Sequence, residues 1–275
     1  MPEGDALRMV AARLDAALAG QRLVRAELRW PTLATADLTG RVVLHTRPFG
    51  KHLLTRLDDG RTLHSHLRMD GTWQVVPTST PTARARSPRV RALLDDGTST
   101  ALGLDLGMLD LVMTSREHEL IGRLGPDILD ASFDPEIFDG ESGPADTEPT
   151  DAKPAAGTGL AESLDRWASR GDAPACEVLI DQRVVAGVGT IWMAEALFAT
   201  QVHPWAPADQ VDPVVLLRTA RRFMRASVAA GAPTIRVHGR RGRPCPRCGT
   251  PLAKGTAGKA PVGRPVFWCP TCQKR

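Results

Sequence analysis

Apolar and polar positions alternate with different periods in different stretches of the chain. Leu7, Val10, Ala11, Leu14, Ala17 and Leu18 recur at helical spacing, so residues 5–19 predict an amphipathic helix that stops at Gly20. From residue 22 to 76 the pattern shortens to strands and turns. Residues 41–45, 53–57, 62–67 and 72–76 are β-rich, and Asp58-Asp59-Gly60 is a hairpin signal. Residues 89–94 and 98–113 continue it, with Asp95-Asp96-Gly97 as a second hairpin turn. The first half therefore predicts a two-layer β-sandwich flanked by the N-terminal helix. Residues 139–159 contain no Val, Ile, Leu, Met, Phe or Trp, so they predict a flexible linker that cannot bury enough surface to order itself.

Beyond the linker the helical period returns, over residues 160–169, 174–183, 191–198 and 213–229, with Gly231 as a stop. The expected class is α+β. A sandwich domain spans 1–138, the linker 139–159, a helical domain 160–232, and a small C-terminal module with a β-hairpin 236–275. Between the second and third helices stands Val185-Ala186-Gly187-Val188-Gly189-Thr190. Gly187 and Gly189 let the backbone approach a ligand closely. The helix that follows presents N–H groups to an anion such as a DNA phosphate, although such a turn also serves ordinary packing.

Composition sharpens this picture. The chain has 275 residues, 42% hydrophobic and 24% charged, within the range of soluble globular proteins. It has no long apolar run and no basic-then-apolar N-terminal signal, so a cytoplasmic protein that crosses no membrane is expected. Net charge is only +4, but it is unevenly placed. Residues 236–275 hold ten Lys or Arg and no acid, whereas residues 127–165 hold eleven acids and one lysine. A basic end of this kind suits a polyanion. Of the five cysteines, Cys176 stands alone in an apolar stretch and reads as an inert buried thiol. The others form Cys245-Pro246-Arg247-Cys248 and, after twenty intervening residues, Cys269-Pro270-Thr271-Cys272. Two Cys-x-x-Cys knuckles at this separation match a four-thiolate structural zinc site, with no ligand position left for a catalytic water.

Candidate chemistry concentrates at the other end, in Met1-Pro2-Glu3-Gly4-Asp5. If Met1 is removed, Pro2 presents a secondary amine. An α-amino group titrates near a pKa of roughly 8, so a useful fraction is nucleophilic at neutral pH. Such an amine can form an iminium with a sugar aldehyde, and Glu3 beside it can move protons. Pro2 and Glu3 equally suit a plain helix start. Lys51, the only lysine before residue 153, sits in Phe49-Gly50-Lys51-His52 at a strand start. It fits a phosphate or catalytic contact, or an ordinary strand-end lysine. In the turn Leu67-Arg68-Met69-Asp70-Gly71, Met69 either wedges into a base stack or folds back on the core. Arg264, with Phe267 and Trp268 between the knuckles, can reach a phosphate.

In order along the chain, these are Met-Pro-Glu-Gly, a Gly-Lys strand start, Ser-His-Leu-Arg-Met-Asp-Gly, Asp181-Gln182 followed by Val-Ala-Gly-Val-Gly-Thr, and a four-cysteine finger. The set closely resembles the formamidopyrimidine-DNA glycosylase and endonuclease VIII family, over nearly the whole chain except 139–159. The resemblance implies a bifunctional DNA glycosylase and AP lyase with a β-sandwich, a helix-two-turn-helix domain and a zinc finger. It implies zinc and no organic cofactor, a monomer, and double-stranded or bubble DNA with damaged bases or abasic sites as partner. By the family mechanism, the damaged nucleotide is flipped out. The Pro2 amine attacks C1′, the base leaves, and β- or β,δ-elimination breaks the strand. The resemblance assigns sugar-ring protonation to Glu3, phosphate contact and assistance to elimination to Lys51, gap filling to Met69, and backbone grip to Arg264. It places Arg68, Gly189 and Thr190 among the DNA contacts.

There are departures. Thr190 stands where the family usually has Asn, and Ala6 where it has Glu. Gly103-Leu104-Asp105-Leu106-Gly107 lacks the Arg and Phe that guanine-lesion members use to fill the duplex void. The endonuclease VIII branch, acting on oxidised pyrimidines, is therefore expected. The same chemistry on oxidised purines, or a catalytically silent binder of damaged DNA, are the alternatives.

Overall fold

The computed structural model describes residues 2–79, 85–135, 155–259 and 263–274. The chain divides into two compact units. One comprises Met1–Pro2 and Ala6–Arg123, the other Glu3–Asp5 and Leu124–Arg275. The predicted linker lies mostly on residues outside the described ones.

The first unit begins with helix α1 (Gly4–Leu18), whose first residues count with the other unit. Eight strands follow among the described residues: β1 (Arg25–Leu28), β2 (Val43–Phe49), β3 (His52–Leu57), β4 (Arg61–His66), β5 (Thr72–Pro77), β6 (Val90–Asp95), β7 (Ser99–Leu104) and β8 (Met108–Met113). They form two antiparallel sheets, ordered β1-β6-β7-β5 and β2-β3-β4-β8. Both Asp-Gly turns close hairpins, β3–β4 and β6–β7. The run 98–113 is broken into two strands at Asp105, which adopts a left-handed φ of 48°.

The core of this unit lies between the sheets and under α1. Leu7, Val10, Leu14 and Leu18 of the helix meet Leu53, Leu57, Leu63 and Leu109 of one sheet and Trp73, Ala92, Leu94 and Ala101 of the other. Each fully buried leucine contributes about 1.5–3 kcal/mol. Trp73 donates its indole N–H to Ser65 Oγ across the two sheets at 3.1 Å, so its one polar atom is satisfied. Strand alternation sends the even-numbered residues of β4 to the opposite face. That face is polar. There the buried Glu117 accepts from Arg47 at 3.0 Å, from Arg56 at 2.7 Å on each oxygen, and from Thr62 at 2.7 Å. A short helix α2 (His118–Ile121) follows.

Among its described residues the second unit holds four α-helices and a hairpin: α3 (Gly159–Ala168), α4 (Ala175–Ile180), α5 (Thr190–Ala199), α6 (Pro213–Ala230), β9 (Ala253–Ala257) and β10 (Arg264–Trp268). Local chemistry sets the ends. Thr158 caps α3 by accepting from Ala161 N–H. Asp212 caps α6 by accepting from Val214 and Val215 N–H, Pro213 takes the first helical position, and Gly231 ends the helix at φ 73°. Helix α5 is apolar all round and is buried along nearly its whole length, so it is the centre of this unit. One side packs with α3, α4 and α6. Another, through Ala194 and Phe198, packs against Val237, Cys245, Leu252, Phe267 and Cys269. No helix among the described residues is long and apolar enough to cross a membrane.

Candidate active site and metal centre

The start of helix α5 is held by hydrogen bonds to the chain's own N-terminal segment. Gly189 and the first turn of α5 direct N–H groups outward, and the anion that meets them belongs to the chain itself. Glu3, 1% exposed, accepts from Ile191 N–H at 2.7 Å, Gly189 N–H at 2.9 Å and Trp192 N–H at 3.3 Å. A carboxylate suits this place because the helix N-terminus carries a partial positive charge. The turn was expected to offer these groups to a DNA phosphate; three of them are instead committed to Glu3, and the Thr190 amide is not among them.

Glycine is required here for space. A Cβ on Gly189 would lie 2.4 Å from Glu3 Cδ, and one on Gly4 would lie 3.0 Å from Gly187 Cα. Gly4 N–H donates to Gly187 O at 2.9 Å, and Asp5 accepts from Ser227 at 2.6 Å. Gln182 braces the turn from within. Its amide donates to Ile180 O and Val188 O, and its carbonyl accepts from Gly187 N–H. The chain's third residue is thus seated on a turn more than 180 residues away.

Helix α5 is held at two further points. Glu195, 2% exposed, accepts from the N–H groups of Arg236, Val237 and His238, each at 2.9 Å. Arg247 donates to Phe198 O and Ala199 O, which places a cation at the negative end of the helix. His238 lies 3.1 Å from the carbonyl of Thr190 through Nδ1. Burial lowers its pKa, against that hydrogen bond.

Four cysteines close the second unit. The Sγ atoms of Cys245, Cys248, Cys269 and Cys272 all lie within 4.8 Å of one another, with 3.9 Å between Cys245 and Cys272 and 3.5 Å between Cys248 and Cys269. Four thiolates around zinc at about 2.3 Å stand about 3.8 Å apart in a tetrahedron, so this donor set fits that ion. Arg264 opens β10, opposite Ala257, and is exposed. Cys176 is separate and fully buried, and burial pushes its thiol up to about 12, so it is unreactive.

The first unit places Pro2, Lys51, Arg68 and Met69. Pro2 is half-buried. Lys51 is 7% exposed and follows Gly50, whose φ of 55° makes the tight turn between β2 and β3. Arg68 adopts a left-handed φ of 51°, and its N–H donates to His66 Nδ1 at 2.9 Å. Its stem lies over Gly107, where a Cβ would come within 2.4 Å of Arg68 Cγ. This turn leaves Met69 58% exposed, rather than folded into the core. The sequence reading passed over His52, His64 and His66, whose rings pack together, His52 stacked on His64 at 5.0 Å and edge-on to His66 at 4.9 Å. The His64-Ser65-His66 alternation, which puts two imidazoles on one sheet face, is the signal that could have found them.

Comparison with known proteins agrees with this architecture. Residues 1–103 match the formamidopyrimidine-DNA glycosylase N-terminal domain and residues 154–238 its H2TH domain. The chain is 38% identical to a probable endonuclease 8 2 of Streptomyces coelicolor, over 99% of this chain and 94% of that protein. It is 32% identical to the DNA-(apurinic or apyrimidinic site) lyase Nei2 of Mycolicibacterium smegmatis, over 99% of both. In fold it is similar to Lactococcus lactis formamidopyrimidine-DNA glycosylase bound to DNA containing an AP site, with TM-score 0.78 at 20% identity over 99% of this chain and all of that one. A sandwich, a helix-two-turn-helix unit and a four-cysteine hairpin, joined to full-length similarity at this level, make the chain a member of the formamidopyrimidine-DNA glycosylase and endonuclease VIII family of DNA glycosylase/AP lyases.

Proposed function

We propose that the protein excises oxidised pyrimidines from DNA and nicks the abasic strand through an imine formed at Pro2. The observation that carries this reading is the seat of Glu3. A carboxylate held by three backbone N–H groups is fixed to a fraction of an ångström, which a mere helix start does not need. Its neighbour in sequence is the residue whose amine is freed when Met1 is removed.

The chemistry balances without a redox cofactor. The Pro2 nitrogen forms a bond to C1′ as the base departs with a proton, and ring opening gives the iminium. Loss of a C2′ hydrogen then expels the 3′ phosphate, and water releases the enzyme. Glu3 handles the proton at the sugar oxygen, and Lys51 serves the phosphate and the elimination. Arg68, Thr190 and Arg264 contact the strand, while Gly189, whose N–H is committed to Glu3, seats that carboxylate instead. Thr190 offers its hydroxyl where relatives of this family usually offer an amide. Met69, exposed on its turn, enters the space left by the flipped nucleotide. The four cysteines hold one zinc ion, which when bound supplies a crosslink for the hairpin that carries Arg264.

The connection Asp105-Leu106-Gly107 between β7 and β8 favours pyrimidine lesions. It is three residues long and has neither a cation nor an aromatic with which to fill the duplex. Borohydride trapping on abasic DNA tests the imine, with adduct expected from processed protein and none when Met1 is retained. Release of thymine glycol and 5-hydroxyuracil should outpace release of 8-oxoguanine opposite cytosine; the reverse preference would move the protein to the purine branch.

A further inference from the structure

Helix α6 carries buried side chains at a spacing of three, Arg221, Met224 and Ser227, which share one face. Each meets a different part of the frame around Gly187. Arg221 donates to the carbonyl oxygens of Ile128 and Asp130. That segment is paired in turn with the residue before Gly187: Ile128 N–H donates to Ala186 O at 3.0 Å, and Ala186 N–H donates to Pro126 O at 2.9 Å. The Met224 methyl lies beside Gly4, 3.1 Å from where a Cβ would stand. Ser227 Oγ–H donates to Asp5 Oδ2 at 2.6 Å. One helix thus fastens both sides of the turn that seats Glu3.

The Asp5–Ser227 pair is more than a helix start requires. An acid in the first turn of a helix gains from the dipole while it stays in water. Asp5 is only 5% exposed, and Ser227 2%. Burying a carboxylate costs free energy unless it is hydrogen-bonded, and 2.6 Å is the length of a charge-assisted O–H···O⁻ bond. A serine inside a helix ordinarily turns its hydroxyl to water or to the carbonyl four residues back. Ser227 gives its hydrogen to a residue 222 positions away in the chain.

We propose that Asp5 and Ser227 are positioning residues for the Pro2 amine. Glu3 is fixed through its carboxylate, Gly4 through its N–H on Gly187 O at 2.9 Å, and Asp5 through Ser227. With residues 3–5 held one by one, peptide planarity leaves two soft dihedrals between Glu3 Cα and the amine, the φ of Glu3 and the ψ of Pro2. If Asp5 is released, Gly4 adds its own two, and glycine is the residue with the widest choice of both. The amine then spends less time in line with C1′. A misplacement of about 1 Å slows such a reaction about 100-fold. Neither residue is assigned a contact with the sugar; both act through the backbone of residues 3–5.

The inference rests on the imine reading of Pro2, and the test separates the two. Asp5→Ala, Ser227→Ala and the double variant are compared with wild type as full-length protein lacking Met1. Borohydride-trapped adduct is timed on abasic DNA at saturating protein. Affinity is read on a duplex with a tetrahydrofuran site, which cannot form an imine. Adduct formation should slow about 10- to 100-fold in each single variant, with tetrahydrofuran-site affinity within about twofold of wild type. The double variant should be no slower than the slower single one, because the two residues act as a unit. Asp5→Ala leaves no buried charge behind and carries the comparison should Ser227→Ala unfold. Normal adduct formation in a folded variant, a rate and an affinity that fall by the same factor, or slowing that multiplies in the double variant would each overturn the assignment. If wild type gives no adduct, the imine reading fails. Exchange of the Gly4 amide hydrogen, expected to quicken about tenfold in either single variant, then still decides whether Ser227 holds the segment.

Discussion

Glu3 and Glu117 are both buried carboxylates, and they are satisfied in opposite ways. Glu3 accepts from three backbone N–H groups at a helix start. Glu117 accepts from the side chains of Arg47, Arg56 and Thr62. Backbone donors cannot change rotamer, so they fix a carboxylate in position. Guanidinium donors can follow a displaced partner, so they supply charge and tie together strands β2, β3 and β4. The first arrangement places a reacting group, and the second holds a sheet together.

Removing each anchor tests that contrast. Glu117→Ala should have the largest effect, about 3 kcal/mol of stability, because two arginines lose their shared counter-charge on a buried face. Urea unfolding of the variant reads it directly. The same pair sets a pH dependence. The pull of the two arginines and Thr62, acting against burial, depresses the Glu117 carboxyl to about 2. Its contribution is therefore complete above the ordinary carboxyl range near 4.5 and is lost as pH falls from there toward 2. Acid unfolding of Glu117→Gln should lack that component.

Gly189→Ala comes next. The new Cβ would occupy the space of the Glu3 carboxyl, so nicking of abasic DNA should fall about 100-fold with the protein still folded. Near-wild-type turnover would mean that the seat of Glu3 is not what aligns the reaction. Cys245→Ser should release the metal, measured as zinc per chain. It should weaken abasic-DNA binding about tenfold while β1–β8 keep their hydrogen-exchange protection, since on the proposed reading Arg264 is one phosphate contact among several. Cys176→Ala is the mildest, at about 1 kcal/mol and with activity unchanged. Its thiol, pushed up to about 12, should resist disulfide reagents until the protein unfolds.

Legibility followed the range of the interaction. Helix α1 was predicted over 5–19 and spans Gly4–Leu18; the last helix was predicted over 213–229 and spans Pro213–Ala230. Their apolar stripes, the Asp212 cap and the Gly231 stop are all local. Both Asp-Gly hairpins were legible for the same reason. The strand break at Asp105 was not, because a left-handed residue other than glycine leaves little trace in composition. The metal ligands were legible because each knuckle is a local spacing, although their convergence within 4.8 Å depends on the hairpin between them.

The sequence by itself determined the alternation of strand and helix, the apolar faces, the turns, and the chemical types available: a Pro-Glu pair, a scarce lysine, paired thiols and a basic stretch. These depend on neighbours within a few residues, where side-chain period and backbone preference act. Only the tertiary structure decided that Glu3 would take the N–H groups of Gly189, Ile191 and Trp192, and that His52, His64 and Asp110 would join in one hydrogen-bonded line across β3, β4 and β8. A carboxylate or an imidazole accepts from whichever donor the fold brings within about 3 Å. That donor is chosen by strand register and helix packing, which a linear pattern does not carry.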